Sequence, residues 1–181
     1  MRKLALALAA SGLFALSVPT AATAAIETEE AKFEAAGAAD TARWDMLDVF
    51  GPKALAPNQY LWAKDLGEGP PRVVISLADQ MAYIYRGDRL VGISTISSGK
   101  PGKDTPTGIF PVKEKKPIHF SRKYDNAPMP HMQRLDDYGI ALHAGFNPGE
   151  PASHGCVRLP KAFAAKLYAM TQVGTPVLIA A

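Results

Sequence analysis

The sequence predicts a mainly β fold, a sandwich or a partly closed barrel, with one C-terminal helix before the last strand. From residue 72 onward the chain contains six or seven short segments rich in β-branched and aromatic residues, separated by turn-forming residues. Such segments are typical of strands joined by turns. Phe163, Leu167 and Met170 follow at helical spacing, and the apolar segment 176–179 comes after them. Many strands with one good helix favour packed sheets.

The strand candidates are residues 72–77, 80–85, 90–96, 107–112, 139–143, 157–159 and 176–179. In the second candidate Met81, Tyr83 and Tyr85 alternate with their neighbours and share one face. Gly87 and Asp88 form a turn signal, so residues 80–96 predict a hairpin. The helix is expected to begin near Pro160 and to end at Gly174.

A long polar stretch, residues 113–137, interrupts the series of strands. It contains Pro117, Pro128 and Pro130, which favour an irregular excursion over regular structure. Excursions of this length are often functional. The three lysines within residues 113–116 are expected to form a solvated face.

The N-terminus has the pattern of a signal peptide over residues 1–24. Arg2 and Lys3 precede an apolar run at 4–18, and Ala22-Thr23-Ala24 fits a cleavage site. The run is too short for a comfortable membrane span, although an uncleaved anchor is the alternative. We therefore expect an exported protein that works in the periplasm or cell wall.

Residues 25–71 are predicted to be a lead-in to a catalytic domain at 72–181. Residues 25–39 are rich in Ala and Glu and predict a short helix, and an apolar cluster around Trp44 should dock on another part of the molecule. The glycines and prolines of residues 67–71 are typical of a linker. A length of 181 residues suits one domain with a sizeable core.

The charge balance does not favour nucleic acid as a partner. The chain has 20 Lys and Arg against 17 Asp and Glu, a net charge of +3. Two of the basic residues, Arg2 and Lys3, belong to the predicted signal peptide. No basic stripe is interleaved with aromatic residues, as nucleic-acid binding would require.

Cys156 is the only cysteine, so no disulfide can form within the chain. A single thiol in an exported protein suggests an intermolecular bridge or a reactive thiol, because export usually means an oxidising environment. A buried, inert cysteine is the alternative.

The residues around Cys156 suit acyl transfer. A thiol needs a base to make the thiolate and donors for the developing oxyanion. Gly155 lets a carbonyl approach the N–H groups of residues 155 and 156. Either His143 or His154 could be the base, and residue types alone do not choose between them. Arg158 could hold a substrate carboxylate or a backbone carbonyl.

A zinc site is the main chemical alternative. All four histidines fall within the same stretch as Cys156, and His and Cys are zinc ligands. However, no pair has a tight ligand spacing, and no carboxylate accompanies them. We therefore predict no metal.

Ser153-His154-Gly155-Cys156-Val157-Arg158-Leu159 resembles the S-H-G-C-[IV]-R-L signature of the L,D-transpeptidase catalytic domain, also called the YkuD-like domain. His143 matches the upstream histidine of that family. Residues 105–110 resemble its T-P-x-G-x-[FY] strand, and residues 128–132 resemble the segment lining its substrate cleft. The resemblance covers about residues 72–180.

The resemblance implies a β-sandwich-like fold in which His143 is the base and the carbonyl of Ala144 orients its ring. Ser153 and His154 then become supports for the active-site loop. Ala144 departs from the glycine that usually follows this histidine. In the cleft, Tyr124, Met129, Met132 and Tyr138 are expected to supply apolar walls.

The resemblance also implies a reaction on peptidoglycan stem peptides. Cys156 attacks the third residue of a tetrapeptide, D-alanine leaves, and an acceptor amine resolves the thioester to give a 3→3 cross-link. The acceptor could also be an outer-membrane protein or a D-amino acid, and carbapenems should acylate Cys156. The alternatives are a related L,D-carboxypeptidase or endopeptidase, and a non-catalytic wall-binding protein.

Overall fold

The computed structural model describes residues 26–181, which form two helices and ten strands. The helices are α1 (Glu29–Phe50) and α2 (Lys161–Met170). The strands are β1 (Tyr60–Trp62), β2 (Pro71–Ser76), β3 (Met81–Arg86), β4 (Arg89–Thr95), β5 (Gly108–Pro111), β6 (Glu114–Lys116), β7 (Met132–Arg134), β8 (Ala141–Ala144), β9 (Val157–Leu159) and β10 (Pro176–Ala180).

Two sheets are built from these strands. The larger has the order β1-β4-β3-β2-β10-β5, and the smaller has the order β6-β7-β8-β9. The pairs β2–β10 and β8–β9 are parallel, and the other pairs are antiparallel. The mainly β prediction with a helix before the last strand is confirmed. Neither strand order closes on itself within residues 26–181, so the barrel alternative is not confirmed.

The main core lies between the two sheets. Val73 and Ile75 of β2 pack there with Leu142 of β8 and with Phe163 and Leu167 of α2. Val74 points to the opposite face of the larger sheet, because successive side chains of a strand alternate. Each face of that sheet is therefore buried, one against the smaller sheet and α2 and the other against α1.

Helix α1 is longer than the predicted helix at 25–39. Thr28 caps its first turn through a hydrogen bond from Ala31 N, and Gly51 ends it with a positive φ of 76°. Alanines on one side pack against the larger sheet. Of the apolar cluster that was predicted to dock, Met46 and Phe50 pack there too, whereas Trp44 is 70% exposed. Small inner side chains bring the helix close to the sheet and leave the large aromatic residue outside.

The lead-in is more ordered than its composition suggests. Strand β1 pairs with β4 and extends the larger sheet, and Ile26 exchanges backbone hydrogen bonds with Ile109 of β5. A strand of three residues without alternation has no periodicity to recognise. The structure thus packs residues 26–62 onto the domain, and the boundary at residue 71 stays a prediction.

The excursion at 113–137 begins and ends in regular structure, contrary to the prediction. Strands β6 and β7 within it pair with each other. Lys115 does not lie on a solvated face: its Nζ donates to the carbonyls of Tyr168 and Thr171 at the end of α2. The positive charge suits the carboxyl end of a helix, and this helix ends at Met170 rather than at Gly174.

In the part of the chain from residue 26 onward, no helix is both long enough and apolar enough to cross a membrane. The predicted signal peptide at 1–24 lies outside the described residues.

Candidate active site

A cleft of about 1320 Å³ opens on the outer face of the smaller sheet. Strand alternation explains which side chains reach it. Leu142 and Val157 point into the core, so Ala141 and His143 on β8, and Cys156 and Arg158 at β9, point the other way. The predicted site residues that line the cleft are Met132, Tyr138, His143, Ala144, Ser153, His154, Cys156 and Arg158.

Cys156 precedes the first residue of β9 and is partly buried. Met129, Met132 and Ala141 form an apolar cluster against it, and its Sγ lies 3.5 Å from Gly139 O. Burial raises the pKa of the Cys156 thiol, and a hydrogen bond from the backbone of Ala141 partly opposes that shift. Burial therefore favours the neutral thiol over the thiolate.

His143 is only 6% exposed. Its Nδ1 lies 2.8 Å from the carbonyl oxygen of Ala144, so Nδ1 carries the hydrogen in the neutral ring and Nε2 is an acceptor. Burial lowers the pKa of His143 to about 4, against the opposing effect of the Ala144 hydrogen bond. The imidazole is therefore neutral and can take up a proton.

Within residues 26–181, Cys156 and His143 make no direct hydrogen bond with each other. His143 lies on β8 and Cys156 directly precedes β9, the parallel partner of β8, in which Leu142 pairs with Val157 and His143 pairs with Arg158. Catalytic hydrogen bonds are often long in unliganded sites and shorten when substrate binds. The arrangement is suited to proton transfer during attack rather than to a preformed ion pair.

The loop before Cys156 is held by Ser153. Its hydroxyl donates to Cys156 O and accepts from Gly155 N–H at 3.1 Å. The Gly155 N–H is therefore engaged, which differs from the expectation that the N–H groups of both 155 and 156 serve an oxyanion. The Cys156 N–H has no partner among residues 26–181 and is the available donor.

Gly155 adopts a φ of 112°, which residues with a side chain rarely adopt. A Cβ there would also lie 2.7 Å from Ile140 Cδ1. The loop therefore depends on glycine at this position both for its backbone conformation and for its close packing beside Cys156.

The two candidate histidines have different environments. His154 is exposed, and its ring stacks on Tyr124 of the excursion with centroids 4.4 Å apart and planes inclined by 25°. His143 is buried and anchored by a backbone carbonyl. His154 thus connects the loop to the segment that forms the cleft wall.

The cleft is lined at different depths by Arg158, Met132 and Tyr138. Arg158 is half-buried, and its side chain makes no ion pair or hydrogen bond within the described residues, so its charge is available to a ligand. Met132 is 2% exposed in the cleft floor. Tyr138 lines the cleft at its rim, where it is 90% exposed.

Two residues near the site were not singled out from the sequence for their roles here. Asp136 Oδ1 accepts the N–H groups of Tyr138, Gly139 and Ile140 and so shapes the turn that presents Gly139 O to the thiol. Aspartate ahead of a glycine is a common turn signal. Thr105 donates to Gly155 O at 2.8 Å, a contact between distant parts of the chain that no local pattern reveals.

The histidines of the zinc alternative do not form a set of metal ligands within residues 26–181. His119 lines the cleft, and His131 packs 5.6 Å from the ring of Tyr168. Among residues 26–181 no three His, Cys, Asp or Glu side chains are grouped closely enough to hold a metal ion.

Comparison with solved structures shows the fold. An L,D-transpeptidase from Mycobacterium smegmatis is 24% identical with a TM-score of 0.57, and the match covers 61% of this chain and 58% of that one. One from Stackebrandtia nassauensis is 24% identical with a TM-score of 0.57, and the match covers 75% of this chain and 64% of that one. An L,D-transpeptidase in complex with imipenem is 23% identical with a TM-score of 0.54, and the match covers 60% of this chain and 58% of that one.

These matches span less than two thirds of the length of the solved chains. Comparison with curated proteins finds no match. At the level of the family, the L,D-transpeptidase catalytic domain (YkuD) matches residues 70–179, well over half of the chain. The fold and this match define the class: the protein belongs to the L,D-transpeptidase catalytic domain family.

Proposed function

We propose that the protein is an exported peptidoglycan L,D-transpeptidase with Cys156 as nucleophile and His143 as general base. One observation carries this proposal. The only cysteine and a buried histidine, whose Nδ1 is held by Ala144 O, project from adjacent strands into the same cleft. A nucleophile near a base that is itself oriented by a third group is the arrangement that acyl transfer requires.

In the acylation step, His143 Nε2 takes the thiol proton while Sγ attacks the carbonyl carbon of the third residue of a stem tetrapeptide. The carbonyl oxygen becomes an oxyanion that accepts a hydrogen bond from Cys156 N–H. Collapse of this intermediate breaks the amide bond to D-alanine. His143 returns the proton to the leaving amine, and a thioester to Cys156 remains.

In the transfer step, an acceptor amine attacks the thioester carbon and loses a proton to His143. The C–S bond breaks, a new amide forms, and the proton returns to the Cys156 sulfur. An acceptor stem peptide gives a 3→3 cross-link, and a D-amino acid or an outer-membrane protein gives an attached product. The chain's own residues account for each proton, and no cofactor takes part.

Arg158 is placed to bind a carboxylate of the donor peptide. It follows Cys156 by two residues on the same strand face and has no anionic partner within residues 26–181. A charge-assisted hydrogen bond between guanidinium and carboxylate is stronger than a neutral one and favours fixed orientation. Stem peptides carry several carboxylates, which suits this site.

The test is product analysis by mass spectrometry with a tetrapeptide donor and an excess of a D-amino acid. We expect exchange of the terminal D-alanine, formation of peptide dimers, and no turnover by Cys156→Ala. A carbapenem should leave one adduct on Cys156. Tripeptide as the sole product would instead identify a carboxypeptidase. A folded, reduced protein that binds peptidoglycan without turnover or adduct would identify a wall-binding protein.

A further inference from the structure

Thr105 opens the segment that resembles the T-P-x-G-x-[FY] strand, yet it precedes β5 and is not part of it. Its side chain is 5% exposed. The hydroxyl accepts from Gly99 N–H at 2.9 Å and donates to Gly155 O at 2.8 Å. One buried hydroxyl thereby joins the 98–104 turn to the loop that carries Cys156.

The contact with Gly155 O determines the direction of a second group. The peptide between Gly155 and Cys156 is planar and trans, so its C=O and N–H point in opposite directions. When Thr105 holds the oxygen on the protein side, the Cys156 N–H turns away from Thr105. That N–H has no partner within residues 26–181, unlike Gly155 N–H, which Ser153 engages.

The backbone alone does not hold this peptide in place. Gly155 has no side chain and tolerates positive and negative φ about equally, so the peptide that follows it has more rotational freedom than after other residues. Ile140 limits the space beside Gly155 but makes no hydrogen bond with its carbonyl. The Thr105 hydroxyl supplies the directional contact.

We propose that Thr105 is a positioning residue that aims the Cys156 N–H at the acyl oxyanion by holding the Gly155 carbonyl. The inference rests on the proposed acyl transfer. It predicts that the hydroxyl matters for acylation of the thiol and matters little for reactions of the thiol that build no oxyanion.

The test compares Thr105→Val, which keeps the shape and loses the donor, with Thr105→Ser, which keeps the donor. For Thr105→Val we expect carbapenem acylation and kcat to fall roughly 10- to 100-fold, below the full loss of an oxyanion donor. Alkylation by iodoacetamide should stay within about 2-fold, KM should change little, and Thr105→Ser should restore acylation. Thr107→Val is the matched control, because the Thr107 side chain makes no hydrogen bond within residues 26–181.

Equal losses in acylation and alkylation would overturn the proposal, since Thr105 would then be only a support for the loop. Unchanged acylation would overturn it as well. A crystal structure of Thr105→Val separates this inference from the proposed function. If wild-type protein accepts no acyl donor, the proposed function fails, while a reoriented Gly155–Cys156 peptide in the variant would still support the positioning role and an unmoved peptide would refute it.

Discussion

Burial favours the neutral forms of Cys156 and His143, although the proposed acyl transfer requires a thiolate. Burial raises the pKa of the thiol and lowers that of the imidazole to about 4, because a low-dielectric environment disfavours the charged form of each. The positive charge of Arg158 partly opposes the raised pKa of Cys156 and adds to the lowering of the pKa of His143. A thiolate is therefore expected to form as substrate enters and the proton moves to Nε2.

His143→Gln tests the proposed role of His143 as a base and the effect of its lowered pKa on stability. We expect a loss of roughly 10²–10⁴ in kcat/KM, the usual contribution of a positioned acid–base.

Below pH 6.5 the unfolded chain binds a proton that folded His143 does not bind, so wild-type stability falls between about pH 6.5 and 4. The loss in the free energy of unfolding is about 3 kcal/mol. It should be absent in His143→Gln, and denaturant unfolding across this pH range measures it.

His154→Gln is the control for that prediction. Its ring is exposed and stacked on Tyr124, so the substitution should cost much less activity than His143→Gln. A severe loss in His154→Gln at unchanged melting temperature, with a mild effect in His143→Gln, would reverse the two roles.

The excursion between β6 and β7 forms one wall of the cleft. Met129 belongs to the apolar cluster beside Cys156, and Tyr124 stacks on His154. Both contacts join the excursion to the residues around Cys156. In the proposed reaction, exclusion of water from the thioester depends on this segment, because the acceptor amine and water compete for the same carbonyl carbon.

Tyr124→Ala should shift the products from transfer toward hydrolysis. Loss of an aromatic pair, worth about 0.5–1.5 kcal/mol, should change the ratio of tripeptide to transfer product roughly 2- to 10-fold. The measurement is that ratio at fixed donor and acceptor concentrations. Tyr124→Phe keeps the ring and should behave like wild type, and an unchanged ratio in Tyr124→Ala would show that the stack does not control water access.

In the molecule as a whole, α1 serves as a third layer. The larger sheet has apolar side chains on both faces, and the face away from the core carries Tyr83, Tyr85 and Leu90. Helix α1 covers these residues with its alanines, and Asp45 accepts a hydrogen bond from Tyr85 Oη at 2.6 Å. Without this helix a wide apolar surface would face water.

Ala35→Asp tests the contribution of that layer. Ala35 is fully buried against the sheet, whereas Ala36 beside it is exposed. A carboxylate buried without a partner should destabilise the protein by about 3 kcal/mol. Ala36→Asp makes the same change in helix propensity and should cost less than about 1 kcal/mol. Denaturant unfolding measures both, and equal costs would show that α1 adds little to the fold.

Prediction from sequence succeeded where local patterns were strong. The hairpin at 80–96 has alternating side chains and a turn signal, and it corresponds to β3 and β4. Strands β1, β6 and β7 have three residues each and were missed, because such short segments are stabilised by their partners. Likewise, Lys115 has the composition of a surface residue and becomes half-buried only because α2 ends beside it.

The sequence by itself determined the fold class, the family and the small set of residues from His143 to Leu159 in which the chemistry is expected. Those features depend on composition, alternation and a short motif, all of which are local. Only the tertiary structure decided which histidine is buried beside Cys156, which loop N–H is already engaged, and what Thr105 holds. These depend on contacts between segments up to 50 residues apart, and burial, hydrogen-bond direction and pKa are properties of such contacts rather than of the residues alone.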